Sequence, residues 1–348
     1  MKKIYLLTVG LIAILSLASC ANEDNLNDLN ETIFVRHKNA DMPAYIRGNA
    51  SEKVFLVTLN GGPGGIGLEL TGNALDAIEK QYGVVYFDQR GSGMSQGSYD
   101  AEDISVDLMA EDVLALVKVL KRKYGSDSKF FLLGHSWGGT LGTATLVKDQ
   151  SDFAGWIEVD GANNPAGLYD LYKETFTNTA NEQIALGNSV DFWESVLELV
   201  AEVDAESNID DFLELNSKAF DLEERLQDDG FINEPDGASD ESNKVIFQYN
   251  ILTAIWNSDR IADILIYDQK LFQTVDFTDQ LSEITIPSLY ISGRYDMIVP
   301  LASSQRAFEN NGSEVKELLI FEQSGHSPGS SETERFAAEV LRFMNTHK

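Results

Sequence analysis

A serine stands between two glycines in Gly134-His135-Ser136-Trp137-Gly138, directly after the apolar run 129–133 and before a helical pattern over 139–148. A G-x-S-x-G turn between a strand and a helix presents the serine hydroxyl as a nucleophile. The flanking glycines have a mechanical reason: in so tight a turn, side chains on either side would collide with strand and helix. The hydroxyl attacks a carbonyl only when a base takes its proton. Four histidines are available. His37 falls in an early strand, His135 is locked inside the turn, and His347 is next to last, where a chain end is expected to fray. His326 remains, in Ser324-Gly325-His326-Ser327-Pro328, after the last strand pattern. The base needs a carboxylate to fix its tautomer and stabilise the imidazolium. Asp296, at the end of Ser292-Gly293-Arg294-Tyr295-Asp296, follows another strand pattern and takes that role. Asp160 also ends a strand but reads as a cap on the chain beyond it. The predicted set is Ser136, Asp296 and His326, and its chemistry is acyl transfer to water.

After the run 54–59 comes Asn60-Gly61-Gly62-Pro63-Gly64-Gly65. Glycines here let the backbone approach a substrate, and the N–H groups of Gly62 and Trp137 are the expected oxyanion donors. One such donor is worth about 2.7–4 kcal/mol of barrier. A phosphate cradle is the competing reading, but no Lys-Ser/Thr follows and the G-x-G-x-x-G match is partial. Charge also opposes it. Lys and Arg number 26 against 56 Asp and Glu, a net −30, so nucleic acids and other anions are disfavoured partners. Cys20 is the single cysteine, which rules out a disulfide framework and a cysteine-rich metal site. The expected chemistry requires no metal or organic cofactor, and the expected substrate is a small molecule or short peptide.

These groups need elements to hold them. In 348 residues, 43% of them hydrophobic, short apolar strands alternate with helical stretches from about residue 31. Strands are predicted at 32–37, 43–48, 54–59, 84–88, 129–134, 154–160, 287–292 and 316–322, and several are continuous apolar runs suited to burial on both faces. Val106, Met109, Val113, Leu116, Val117 and Leu120 recur at helical spacing, as do Phe336, Val340 and Phe343. The prediction is an α/β fold: a mostly parallel eight-stranded sheet flanked by helices. Its core comprises residues 31–160 and 281–348. Residues 161–280 break the alternation and carry 26 acidic against 6 basic residues, which reads as an acidic helical cap over the carboxyl edge of the sheet. Trp193, Tyr249 and Trp256 are candidates to line an apolar pocket there. Glu194, Glu223, Glu224 and Glu241 are among the carboxylates that could steer a cation, with no single one assigned a site role.

Met1-Lys2-Lys3 precedes an apolar run from Ile4 to Leu17 and then Ala18-Ser19-Cys20. This is a secretory signal pattern, shorter than the roughly 20 residues of a membrane-spanning helix. The small residues before a lone cysteine predict a lipoprotein-type signal over 1–20, with Cys20 as the lipidated N-terminus. An ordinary signal peptide is the alternative. Residues 21–30 are polar and read as a tether, which places the expected catalytic domain outside the cytoplasm, lipid-anchored in a bacterial cell envelope.

Together these segments resemble the α/β-hydrolases and, within them, the proline iminopeptidase-type serine aminopeptidases. Gly61-Gly62-Pro63-Gly64-Gly65, the elbow at Ser136 and Tyr86-Phe87-Asp88-Gln89-Arg90-Gly91-Ser92-Gly93-Met94-Ser95 carry the likeness, and the last is the most specific. Asp88 and Arg90 are expected to form a buried pair under the site. Asn60 stands where the family usually has histidine, and His135 where it often has glycine. The resemblance implies release of N-terminal residues from short peptides through an acyl-enzyme. General esterases of the fold use the same machinery and are the alternative.

Overall fold

The computed structural model describes residues 26–348 apart from residues 73, 98, 204–207 and 236–248 and the side chain of Ile251. The predicted signal, Cys20, residues 21–25 of the tether and Glu241 lie outside the described residues.

Nine strands form one sheet: β1 (Leu29–His37), β2 (Ala40–Gly48), β3 (Val54–Leu59), β4 (Gly83–Phe87), β5 (Gln96–Gly97), β6 (Lys129–His135), β7 (Phe153–Val159), β8 (Ser288–Gly293) and β9 (Lys316–Phe321). Their order is β1-β2-β4-β3-β6-β7-β8-β9, with β5 paired to β2. β1, β2 and β4 pair antiparallel, and the run from β4 to β9 is parallel. The eight expected strands are present. The ninth, β5, is a two-residue exposed pairing of polar character that carries no hydrophobic periodicity. Every residue of β3, β4 and β8 is buried, as strands covered by helices on both faces require. Each fully buried Val, Leu or Phe side chain in these strands contributes roughly 1.5–3 kcal/mol.

The register aligns the carboxyl ends. Leu59 pairs with Gly134, His135 with Val159, Val159 with Ile291, and Gly293 with Phe321. The loops beginning at Asn60, Ser136, Asp160, Arg294 and Glu322 therefore emerge on one edge, the usual place for a site in an open parallel sheet. Flanking helices include α1 (Ala74–Glu79), α2 (Val106–Tyr124) and α3 (Trp137–Lys148). In α2, Ser105 caps the first turn by accepting Leu108 N–H at 3.2 Å, and Met109, Val113, Leu116, Val117 and Leu120 face the core.

Residues 161–280 fold mainly as helices, among them α4 (Leu168–Leu186), α5 (Val190–Glu202), α6 (Ile209–Asp228), α7 (Ile251–Asp263) and the short α8 (Leu271–Thr274). Their core contains Tyr172, Phe176, Trp193, Phe212 and Leu222, and it continues into Met297, Ile298 and Val299 of the loop after β8. Tyr172 seals the junction by donating its hydroxyl to the Ile298 carbonyl at 2.8 Å. The insertion is thus packed onto the loop that carries Asp296. Beyond it follow α9 (Leu301–Asn310), α10 (Pro328–Ser331) and α11 (Thr333–His347), whose Phe336, Val340 and Phe343 are buried as their spacing predicts.

Candidate active site

Ser136 occupies the turn between β6 and α3 with φ +57° and ψ −120°, a conformation that costs a non-glycine residue about 1–3 kcal/mol. Three backbone bonds hold it there. Ser136 N–H donates to the Val159 carbonyl at 3.0 Å, and the Ser136 carbonyl accepts Gly139 N–H at 2.8 Å and Ala162 N–H at 3.1 Å. A Cβ on Gly134 would run into the Gly138 carbonyl, and one on Gly138 into the Leu59 carbonyl. The two motif glycines are what allow the elbow, the sheet and the Asn60–Gly65 loop to touch. A Cβ on Gly61 would stand 3.1 Å from the Cβ of Ser136, so the glycine loop lies directly against the serine.

His326 Nδ1 lies 2.8 Å from Asp296 Oδ2, and both residues are buried. That contact places hydrogen on Nδ1 and leaves Nε2 as the basic nitrogen. Ser136 and His326 line one cavity of about 950 Å³, together with Gly61, Gly62 and Trp137. The structure thereby gathers the residues that sequence pattern nominated. The other histidines have separate partners. His135 Nε2 lies 2.8 Å from the His326 carbonyl, and burial pushes its pKa down to about 3, so its ring is neutral and donates there. His37 Nδ1 meets Asp112 at 2.7 Å. His347 does not fray: α11 extends to it, and its ring packs on Phe343 at 4.8 Å. His135, Asp160 and His326 bring potential ligand atoms within 4.8 Å of one another, and each histidine commits one ring nitrogen to a hydrogen bond, which makes the arrangement a hydrogen-bonded relay.

Three carboxyl groups crowd this relay. Burial raises the pKa of Asp296, Asp160 and Glu223, and the charge of Glu223 adds to the rise at Asp296. They are not equally supported. Asp296 Oδ1 accepts Ile298 N–H at 2.9 Å and Val299 N–H at 2.7 Å, in addition to the His326 contact. Glu223 accepts the N–H of His326 and that of Met297. Asp160 accepts one N–H, from Gly293 at 2.9 Å. With the fewest donors to solvate a charge, and with Asp296 beside it, Asp160 is held toward its neutral form by burial. Asp160 is therefore no simple cap: it stands beside Asp296, on the strand end next to it.

The motif 86–95 acts through partners other than those expected. Arg90 does not pair with Asp88. Its guanidinium forms a two-pronged pair with Asp112 of α2, at 2.7 and 2.6 Å, with both side chains buried. Asp88 instead accepts Gly67 N–H, Met94 N–H and the Tyr249 hydroxyl, at 2.8, 2.8 and 2.7 Å. Between them lies Gln89, unassigned by sequence reasoning. Its Oε1 accepts the Trp137 indole N–H at 2.8 Å, and its Nε2 donates to the Asn60 carbonyl at 3.1 Å. One amide therefore links the residue after the serine to the head of the glycine loop, and Asn60 Nδ2 braces that loop through the Gly61 carbonyl at 3.2 Å. Of the three aromatics proposed for a pocket, only Tyr249 lines the cavity. Trp193 is sealed in the core of the insertion, and Trp256 is exposed.

Residues 54–332 match the model of the α/β-hydrolase fold family. The chain is 24% identical over 316 residues to a probable aminopeptidase, YbaC, of Bacillus subtilis, covering 87% of this chain and 92% of that one. It is 26% identical over 294 residues to the proline iminopeptidase of Heyndrickxia coagulans, covering 84% and 90%. Among solved structures it is similar to a proline iminopeptidase-related protein of Thermus thermophilus, with a TM-score of 0.60, 19% identity, and coverage of 92% and 98%.

Proposed function

From a chain that belongs to the α/β-hydrolase fold family, with the site described above, we propose a serine hydrolase that releases N-terminal residues from short peptides, in the manner of a proline iminopeptidase. The observation that carries this reading is the link from His326 Nδ1 to Asp296 at 2.8 Å beside a cavity that Ser136 also lines. Relatives named as aminopeptidases along most of their length support the choice of substrate.

In the mechanism, Ser136 Oγ attacks the scissile carbonyl carbon while His326 Nε2 takes its proton, and Asp296 holds the imidazolium that forms. The negative charge moves to the carbonyl oxygen, which the backbone N–H groups of Gly62 and Trp137 receive. Collapse of this intermediate breaks the C–N bond, and His326 returns its proton to the leaving amine. A water then attacks the acyl-enzyme by the same route, freeing the acid and Ser136. None of these steps asks for a metal or organic cofactor.

The proposed setting is a bacterial cell envelope, with Cys20 lipidated and residues 21–30 as tether, a reading supported by the pattern of residues 1–20. No helix among the described residues is long and apolar enough to cross a membrane.

The test is covalent labelling by a fluorophosphonate, followed by turnover of prolyl-naphthylamide and of p-nitrophenyl acetate. Labelling of the natural protein and none of Ser136→Ala supports the nucleophile; equal labelling of both overturns it. Ester cleavage without amide cleavage gives the esterase reading instead, and no labelling at all gives a binding protein that has kept the fold.

A further inference from the structure

His326 is gripped from three directions. Asp296 holds its ring through Nδ1 at 2.8 Å, and Glu223 of the insertion accepts its backbone N–H at 3.1 Å. Its backbone carbonyl accepts the Nε2–H of His135 at 2.8 Å. The first two partners belong to the loop after β8 and to helix α6. The third is the residue that precedes Ser136 in the chain, so it ties the proposed base to the backbone of the proposed nucleophile. The tie is short and stiff. The two imidazole rings pack with centroids 4.8 Å apart and planes inclined at 45°. The other nitrogen of His135 lies against the glycine loop: a Cβ built on Gly61 would stand 3.4 Å from His135 Nδ1 and 3.1 Å from Ser136 Cβ. One ring therefore touches the base, the loop of the proposed oxyanion donors and the flank of the serine.

We propose that His135 is a positioning residue, whose bond to the His326 carbonyl sets the distance between His326 Nε2 and Ser136 Oγ. This rests on the serine-hydrolase reading of the site. Asp296 fixes how the ring of His326 is turned, and Glu223 fixes its loop to the insertion, but neither belongs to the elbow. Proton transfer from hydroxyl to imidazole needs the two heavy atoms about 2.6–3.2 Å apart. A misplacement of about 1 Å costs on the order of 100-fold in rate. Backbone bonds to Val159, Gly139 and Ala162 hold Ser136, so the elbow is the fixed end and the loop 324–328 is the end brought into register. A short side chain ending in a rigid ring transmits that position with little slack. Burial keeps the His135 ring neutral, so it adds no positive charge beside the imidazolium that forms on His326. A glycine at position 135 would leave the His326 carbonyl without this donor.

The experiment uses the full chain and follows p-nitrophenyl acetate turnover, the rate of fluorophosphonate labelling and a melting curve for each variant. His135→Phe keeps an aromatic ring of similar shape and removes the donor. His135→Gln removes the ring and keeps an Nε2 donor the same number of bonds from Cα. His135→Phe is expected to lower kcat and the labelling rate about 10- to 100-fold while KM moves much less. His135→Gln is expected to recover most of that loss without a higher Tm than His135→Phe. A Gln variant no better than the Phe variant, or a Phe variant with natural kcat, overturns the assignment and makes the ring a packing group. A natural protein that neither labels nor turns over the ester fails the serine-hydrolase reading and the assignment with it. Normal labelling of the natural protein with the variants in reverse order fails the assignment alone.

Discussion

Glu223 of helix α6 accepts the backbone N–H of His326 at 3.1 Å through each of its carboxylate oxygens, and the same carboxylate accepts Met297 N–H at 2.9 Å. One side chain from the insertion therefore clamps the loop of the proposed base to the loop of the proposed acid. The insertion is part of the machinery that aligns the relay, and its core runs on into Met297, Ile298 and Val299. Loss of hydrogen bonds to a charged acceptor costs about 1.5–3 kcal/mol. Glu223→Ala is expected to lower kcat on p-nitrophenyl acetate about 10- to 100-fold while KM moves much less. Glu223→Gln, which keeps one acceptor oxygen, recovers part of it. Steady-state kinetics beside a melting curve check this, since a purely structural role would lower Tm and leave the kcat of the folded fraction intact.

Gln89 does for the proposed oxyanion donors what Glu223 does for base and acid. Through Asn60 on one side and Trp137 on the other, it fixes the spacing of the two backbone segments that would share the negative charge. Losing one oxyanion donor costs about 100- to 1000-fold in kcat, which bounds the effect of displacing one. Gln89→Leu is expected to fall between about 10-fold and that bound, with the loss in kcat rather than KM. An unchanged kcat with a lowered Tm would show the amide to be packing alone.

The residues legible in sequence are those whose role is announced locally. Gly134 and Gly138 flag the elbow because no side chain fits there, and His326 emerges from a pool of four because each rival is placed by its own surroundings. Continuous apolar runs locate eight strands, whereas β5 is two exposed polar residues and escapes any periodicity. Partners distant in the chain are not announced. Nearness in the motif pairs Arg90 with Asp88, yet its partner is Asp112, on a helix whose apolar stripe gives no hint of a buried charge. Gln89 and Trp137 are 48 positions apart, and Glu223 and His326 are 103 apart. Only the register of the sheet and the docking of the insertion bring those pairs together.

The Arg90–Asp112 pair gives a stability prediction separate from catalysis. Removing one partner of a buried ion pair strands the other charge and costs about 3–5 kcal/mol. Asp112→Ala is expected to lose that much in urea unfolding, because Arg90 is fully buried and would keep no anionic partner among the described residues, with Asn39, the His37 carbonyl and the Tyr99 ring around it. The double replacement Arg90→Met with Asp112→Leu should regain most of the loss, since an apolar pair of similar volume leaves no charge in the core. A double variant as unstable as the single one would place the cost in packing instead.

Glu158, at the heart of β7, makes the pH dependence of stability a test of the buried carboxyl groups beneath the elbow. Its Oε1 accepts Asn163 Nδ2–H at 2.7 Å, and burial pushes its pKa from an ordinary 4.5 up to about 8. Below pH 4.5 the carboxyl is protonated in both folded and unfolded chains, so it contributes no pH dependence. Between 4.5 and about 8 the unfolded chain releases the proton and the folded chain keeps it, so rising pH favours unfolding. The slope approaches about 1.4 kcal/mol per pH unit and flattens once the folded group also ionises. Glu158→Gln keeps an acceptor for Asn163 and cannot titrate. Its stability relative to the natural protein is therefore expected to climb steadily through this window in urea unfolding between pH 5 and 9. Curves that stay parallel across the window would mean that Glu158 is ionised in the fold, and the proton under the elbow would have to sit elsewhere.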